Sequence, residues 1–486
     1  MVRVNGYRNF LEEIGFSQSA KFIWGLGLIL FLSVAVLNPG VIALDDYSCI
    51  ISQIVPAQKT SFSNTISQLG IRNPLAVTGL LSLTKLFYEL GVQDPIQQIR
   101  LVLLIVGGFN FFVFSYFGAQ FFKGSHIKWG RELALGIVSF YFMNPLIYTR
   151  PMIETLSAPF LFLACFNSFR YWETRNRFCL VRALVFLTIS SMLRFQTGVC
   201  IGAILILLLL KKDIKGGMLV LVSTLLLFVL SGLFESVLTG RFHGSLKDYV
   251  SYNLNHSSSY GTTPFYTFFL LLFALTLPPT LVAHYQKFEW KKKYFKLIPV
   301  LLFVGVFVLA HSVVPHKEER FMIPILPLFL IGLVPLISFV FFEQAHPWRR
   351  VWFLSANTIL LLLTSFNTPQ SNTINLVRYL GGKAQIKKVW SIKETLVLYP
   401  TAYILNPPTT QVVEPNQLES MASLDCDSVL VVREDYERDL AQLFKPYRRV
   451  ERFNPGPLEQ ALVKLNPRQN LRRGSISLYA SPSCSF

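Results

Sequence analysis

Carboxylates and cations recur in this sequence where apolar runs begin or end. "ALDDYS" (43–48) follows the first such run and sets two carboxylates side by side, Asp45 and Asp46. "HKEERF" (316–321) places His316, Lys317, Glu318, Glu319 and Arg320 in one row, directly ahead of "MIPILPLFLIG". "YTRPMIET" contributes Arg150 and Glu154, "LRFQTG" contributes Arg194, and "YNLNHSSSYGTTP" contributes Asn253, His256 and Tyr260. Carboxylates in such a set can take up a proton, and cations can hold an anion. Each group also has a plainer reading. Asp45 and Asp46 fit a solvated loop start, the two arginines can snorkel to an interface, and His256 suits an ordinary surface loop. A helix N-terminus would favour Glu318 and Glu319 through its dipole, but that leaves His316, Lys317 and Arg320 without a reason. "HKEERF" is the stretch that most asks for a function.

The surroundings of these residues are apolar. Of 486 residues 52% are hydrophobic and only 15% are charged, where a soluble protein carries about 25%; mean hydropathy is +0.46. Runs such as "FIWGLGLILFLSVAVL" and "GMLVLVSTLLLFVLSGLF" approach the roughly 20 residues that cross a bilayer. The chain is a polytopic membrane protein. Its net charge of +18 does not point to nucleic acid, because the basic residues sit in short clusters between apolar runs, as they do where charge orients helices in a membrane. The acidic, long N-terminal stretch and the lack of a small-residue cleavage site predict that the first span is retained. Six cysteines without paired spacing predict neither a disulfide framework nor a zinc site.

Charge then sets the topology. Six segments, around Arg3–Lys21, Lys123–Arg131, Arg170–Arg182, Lys211–Lys215, Lys287–Lys296 and Arg349–Arg350, hold 20 Lys and Arg, whereas the alternate loops 43–97, 150–152, 194–198, 237–263 and 314–321 hold 9. The positive-inside rule puts the first set in the cytoplasm. This parity requires that "NPLAVTGLLSLTKLFYELG" (73–91) lie in the interface as an amphipathic helix. Expected spans are 22–37, 98–122, 132–149, 153–169, 183–195, 198–210, 217–236, 264–285, 297–313, 322–341 and 351–366, about 11 in all, with 183–210 broken at Arg194. Residues 1–21 form a cytoplasmic N-terminus. Beyond Phe366 the alternation of "TLVLYP" and "DSVLVVRED" with "YERDLAQLF" predicts a small extracytoplasmic α/β domain over 367–486. All the candidate residues above then emerge on the external face, and ionisable groups that converge at a membrane boundary mark a functional site.

"HKEERF" followed by an apolar, Pro-containing span resembles the signature of glycosyltransferase family 22, the dolichyl/polyprenyl-phosphate-mannose-dependent mannosyltransferases of N-glycan and GPI-anchor assembly. "ALDDYS" sits where that family has a Pro-Asp-Glu motif, "LRFQTG" where it has an Arg-containing turn, and "YNLNHSSSYGTTPFYTF" resembles its Asn…Tyr-Gly-Thr-His-Pro-Trp stretch. The resemblance spans about 22–366. It departs at Asp46, at Thr263, which stands where a His is expected, and around Glu154 and Ser157. A remote member is expected, in a bacterial inner membrane before the endoplasmic reticulum.

The resemblance implies a GT-C fold, 22–366 as a catalytic membrane domain whose long first external loop (43–97) bears the acid, and transfer of a sugar, mannose by analogy, to a hydroxyl of a lipid-linked or other extracytoplasmic glycan. Asp45 is then the general base, with Asp46 second; neighbouring carboxylates repel, which raises one pKa, but consecutive residues on a helix face different ways. His316, Lys317, Arg320 and Arg194 are the candidates for the donor phosphate, which leaves with growing negative charge. Arg150, Glu154, Asn253, His256, Tyr260, Glu318 and Glu319 are supporting or substrate-binding, the glutamates pairing with Lys317, Arg320 or Arg150. Direct displacement by one base inverts the anomeric carbon. No metal and no cofactor are expected. A transporter or flippase of lipid-linked sugars is the competing reading; such proteins show repeats and midplane charges, whereas this sequence has no repeat and its charges gather at one face.

Overall fold

The computed structural model describes residues 16–42, 72–256, 261–344, 346–392, 404, 406–420, 424–466 and 473–484. Asp45, Asp46, Tyr260, the His256 side chain and "TLVLYP" lie outside the described residues. The described parts of Met1–Ala35, Ile66–Ala76 and Leu103–Leu362 form one compact unit, and those of Val36–Thr65, Val77–Val102 and Leu363–Phe486 a second.

Helices dominate. In chain order they begin with α1 (Gln18–Leu37), α2 (Pro74–Glu89), α3 (Pro95–Gln120), α4 (Gly130–Phe140), the short α5 (Asn144–Ile147), α6 (Ile153–Thr174) and α7 (Phe178–Leu193). A 3-10 turn over Phe195–Cys200 leads to α8 (Ile201–Lys211), α9 (Ile214–Thr239), α10 (Gly244–His256) and α11 (Thr267–Leu275). Then come α12 (Trp290–Tyr294), α13 (Ile298–Val313), α14 (Leu326–Ser338, continued as a π-turn to Glu343) and α15 (Pro347–Phe366). Among the described residues five helical stretches, starting at Gln18, Pro95, Ile214, Leu326 and Pro347, are long and apolar enough to cross a membrane, and α7, α13 and the stretch through α8 are shorter apolar helices. The protein is an integral membrane protein of several apolar helices.

Two expected spans are corrected. The segment 132–149 is not one helix: α4 stops at Tyr141, which turns extended, and Pro145 sits in the four-residue α5. The segment 264–285 is helical only over the nine residues of α11, because Leu277 takes a left-handed backbone and Pro278–Pro279, which lack N–H groups, follow.

Aromatic and small residues pack the helical unit. The Phe111 ring of α3 lies 5.6 Å from Trp24 and 5.1 Å from Phe31 of α1. The Trp24 indole donates to Ser115 Oγ (3.0 Å). At Gly27 a Cβ would meet Phe111 at 2.9 Å, so glycine lets the helices approach. Asp213 caps α9 by accepting from Gly216 N (2.9 Å) while Tyr171 Oη and Arg177 donate to it (2.8 and 2.7 Å). Those contacts hold its carboxyl far below the usual range, the Arg177 bond first.

The second unit carries α16 (Ser371–Gly381) and a five-stranded sheet: β1 (Lys388–Ile392), β2 (Thr409–Val413), β3 (Ser428–Arg433), β4 (Arg448–Phe453) and β5 (Ile476–Ala480), in the order β2-β1-β3-β5-β4. β1 runs parallel to β2 and β3, and β5 is antiparallel to β3 and β4. Central β3 ("SVLVVR") and β5 are buried almost throughout, which is why they read as unbroken rather than alternating strands. Ile392, Leu430, Val432, Phe444 and Tyr479 form its core. The short helices α17 (Pro415–Ser420), α18 (Glu434–Asp439) and α19 (Pro457–Leu465) complete it. The expectation of no disulfide fails here, since Cys426 and Cys484 are bonded across 58 positions. Such a separation carries no local signature; only the fold brings the two together.

Candidate active site

Arg194 is where the membrane part of the chain breaks. Its backbone is extended (φ −148°, ψ 103°) between α7 and the 3-10 turn. The Thr197 hydroxyl donates to the Arg194 carbonyl (3.0 Å), so the break is satisfied locally. The guanidinium turns inward, and its Nη1 bonds Glu154 Oε1 at 2.5 Å, with side-chain exposures of 6% and 1%. Glu154 is held in place at the start of α6. Pro151 stops the preceding turn, and the Thr155 hydroxyl donates to the Arg150 carbonyl while accepting from Met152 N (3.1 Å). Arg150, one turn before Glu154, is 3% exposed. Two candidates 40 positions apart, Glu154 and Arg194, are thus partners in one buried ion pair.

The same guanidinium lies over the Phe321 ring, 5.1 Å from its centroid, a cation–π contact. Phe321 in turn meets the edge of the His316 ring at 6.0 Å. One aromatic residue therefore joins the Glu154–Arg194 pair to the HKEER row. Within the row His316 Nε2 faces Glu318 Oε1 (3.0 Å), Nδ1 faces the Gly261 carbonyl (3.4 Å), and Arg320 Nε donates to Glu318 Oε2 (2.5 Å). Burial pushes the Glu318 carboxyl up, but Arg320 and His316 outweigh it and hold the group below the usual carboxylate range. Glu319 opens the 3-10 turn Glu319–Met322.

Lys317 behaves differently from the expected pairing. It is 9% exposed, and its ammonium donates to two carbonyls, Thr263 at 2.9 Å and Val314 at 2.7 Å. Among the described residues it has no carboxylate partner, and the two carbonyls orient its ammonium. Thr263 also donates its N–H to the Pro315 carbonyl (3.1 Å). The two stretches that carry the resemblance most specifically, 253–266 and 316–321, are therefore bonded to each other through backbone at position 263.

Asn253 reaches the same neighbourhood by way of α10. Its amide donates to the Tyr249 carbonyl (2.8 Å), and the Tyr249 ring packs on Phe195 at 5.3 Å, beside Arg194. Sequence reasoning missed Tyr249, Phe321 and His311. Tyr249 lies one helical turn before Asn253, and Phe321 closes the HKEER row, so proximity to named residues was the available signal. His311, on α13, donates from Nδ1 to the Phe307 carbonyl (2.8 Å), stacks on that ring and is 5% exposed.

The chain thus has apolar helices with a break at a buried arginine, a cation row ahead of α14, and an α/β unit. The backbone is similar to that of ArnT from Cupriavidus metallidurans bound to undecaprenyl phosphate, with a TM-score of 0.58 at 10% identity over 96% of this chain and 98% of that one. The apo form of the same protein gives 0.59 at 10% identity over 94% and 97%. At that identity the likeness is one of fold, the GT-C fold of membrane glycosyltransferases. The family model of the Alg9-like mannosyltransferases matches residues 66–399, and the chain belongs to that family. It is 26% identical over 267 residues, 52% of its length, to a Drosophila melanogaster protein named Dol-P-Man:Man(7)GlcNAc(2)-PP-Dol alpha-1,6-mannosyltransferase. It spans only about a third of that relative, 36%.

Proposed function

We propose that this glycosyltransferase moves mannose from a polyprenyl-phosphate donor to a hydroxyl of a lipid-linked or other extracytoplasmic glycan, with inversion. The observation that carries the proposal is Lys317: a buried ammonium fixed by two carbonyls, in the row that Phe321 couples to Arg194. Its role follows from charge. The donor phosphodiester carries one negative charge and leaves as a monoester with more. Fixed cations that meet charge developing in the transition state are the largest electrostatic aid to such a step. Lys317, with His316 and Arg320 beside it, serves there; Arg194 holds the base of the site and lends its positive field. The acceptor oxygen bonds to C1 as the C1–O bond to phosphate breaks, and Asp45 takes the acceptor's proton, with Asp46 orienting the hydroxyl. Arg150, Glu154, Asn253, His256, Tyr260, Glu318 and Glu319 shape and support the pocket. The scheme needs no metal, because side-chain cations meet the negative charge that grows on the leaving phosphate.

The active face is read as extracytoplasmic. Two independent features support this: the basic clusters fall on the opposite loops, and the Cys426–Cys484 disulfide belongs to an oxidising compartment. The departures at Asp46 and Thr263 favour a bacterial inner membrane. Membranes carrying the protein should transfer radiolabelled mannose from polyprenyl phosphate, and Lys317→Ala should slow transfer roughly 10²–10³-fold, as loss of an oxyanion donor does. Full transfer by both Asp45→Asn and Lys317→Ala would overturn the enzyme reading.

A further inference from the structure

The end of α13 farther from Lys317 holds a hollow that the candidate active site does not use. Lys296 and Leu297 stand just before α13 begins at Ile298, and Lys317 follows four residues after it ends at Val313. The 16 residues of the helix rise about 24 Å between the two. The hollow lies between the loop after α3 and the stretch that leads from α12 into α13, both within the helical unit. Phe121, Phe122 and Leu297 give it an apolar lining. His126, Lys292 and Lys296 give it a basic one.

The lysine-bearing stretch is pinned at three successive residues. Lys293, also in the lining, is buried; its ammonium bonds Glu343 and lies over the Phe288 and Phe339 rings, 5.4 and 5.5 Å from their centroids. Tyr294 Oη donates to the Gly332 carbonyl (2.9 Å), and the Trp172 indole donates to the Phe295 carbonyl (3.0 Å). Lys292 and Lys296 flank this fixed stretch with exposed heads. Lys292 faces Glu289 at 3.0 Å and Lys296 faces Glu173 at 3.3 Å. Exposed pairs of this kind contribute little, so both ammoniums are available to a stronger anion. Glu173 also faces Arg170 (3.7 Å) and keeps that partner if Lys296 turns away.

Charge and depth say which anion. The segments 121–128 and 287–296 hold seven lysines, against the three carboxylates of Glu173, Glu289 and Glu343. Apolar α3 ends at Gln120, directly before the hollow, and apolar α13 starts directly after it. Trp129, Trp290 and Phe295 around it are about half exposed. Exposed aromatic residues where apolar helices end mark the level of the lipid headgroups. We propose that this hollow binds the phosphate of an anionic phospholipid, held by Lys292 and Lys296, with Phe121, Phe122 and Leu297 against the lipid's apolar part. Lysine, a point charge with rotatable donors, suits a phosphate that arrives from the bilayer. A free phosphate shares the charge chemistry but leaves the apolar lining unused, which favours the lipid. The inference is independent of the sugar-transfer reading.

The test is native mass spectrometry of the full chain in detergent, titrated with phosphatidylglycerol, phosphatidylcholine or inorganic phosphate. One phosphatidylglycerol should be retained, and phosphatidylcholine much more weakly. Each lysine at an anionic headgroup is worth about fivefold in affinity, so Lys292→Gln combined with Lys296→Gln should weaken retention roughly 30-fold. Lys212→Gln combined with Lys215→Gln removes the same charge from the turn between α8 and α9 and should leave retention unchanged. Without added lipid both variants should unfold at the wild-type midpoint. If the Lys292/Lys296 variant fails to fold, Ser125→Glu, which sets a carboxylate in the lining, should abolish retention in its place; full retention by Ser125→Glu would count against the site. Equal weakening by the two lysine pairs would overturn it, as would equal retention of phosphatidylcholine. Inorganic phosphate that competes mole for mole with phosphatidylglycerol would overturn the lipid as occupant.

Discussion

Cutting the Glu154–Arg194 pair should be the most destabilising single change in the site. The two charges sit 2.5 Å apart at their nearest atoms, with 6% and 1% of their side chains exposed. Charges about 4 Å apart attract by roughly 4 kcal/mol at an effective dielectric near 20. Removing one partner of a buried pair costs about 3–5 kcal/mol, because the other charge is left behind without a counter-charge. Glu154→Ala strands a guanidinium whose remaining named contact is the Phe321 face. Arg194→Ala takes from the buried Glu154 carboxylate the cation at its nearest oxygen. Each single variant should therefore lower the apparent unfolding midpoint in detergent markedly. The double variant, which removes both charges of the pair, should be more stable than either single. Residues in direct contact couple by up to about 3 kcal/mol in such a cycle, so the double variant should recover much of the loss. Double-variant losses equal to the two single losses together would refute the argument, and with it the view that this pair anchors the break at Arg194.

Three further outcomes follow from the geometry. Glu318 has a depressed carboxyl pKa through Arg320 and His316, so its ordering contribution is present above the ordinary carboxylate value and is lost as pH falls through the lower folded value; Glu318→Gln should flatten the acid limb of transfer activity, and an unchanged limb would count against the pairing. Glu459 is the opposite case, its carboxyl raised chiefly by burial. Its protonated form is favoured in the folded domain, so stability is present below the ordinary value and is lost as pH rises through the folded one. Glu459→Gln should then raise the unfolding midpoint at neutral pH with the gain vanishing in acid, measured by thermal scans at the two pH values. Closing a loop of 58 positions is worth about 4 kcal/mol by chain entropy, so Cys426→Ser should lower domain stability and raise protease sensitivity, while non-reducing electrophoresis should lose the linked species.

What the residues disclosed, and what they hid, divides along physical lines. Apolar runs and flanking basic clusters report transfer free energy residue by residue, so the apolar helices, the break at Arg194 and the strand "SVLVVR" were legible. Backbone irregularity inside apolar stretches was not. Nothing in the hydropathy of 264–285 says that the helix stops at Leu275, although Pro278–Pro279 stood there to be read as a stop. Pairing across long separations was equally hidden. Glu154 with Arg194 and Cys426 with Cys484 depend on which helices and strands become neighbours, and a single sequence carries no term for that.

Position 263 shows how a departure from a family pattern can be physically mild. A His is expected there and a Thr is present, yet the contacts the site draws from it are its carbonyl to Lys317 and its N–H to Pro315. Any residue but proline supplies both groups. The substitution therefore exchanges one side chain for another while leaving both backbone contacts, and the ammonium's acceptor, intact. Lys317 itself tolerates less. Two carbonyls at 2.9 and 2.7 Å suit a compact ammonium with rotatable donors, whereas a planar guanidinium needs a wider, flatter set of acceptors. The constraint at this site thus falls on the cation's shape, and the variation falls on its surroundings.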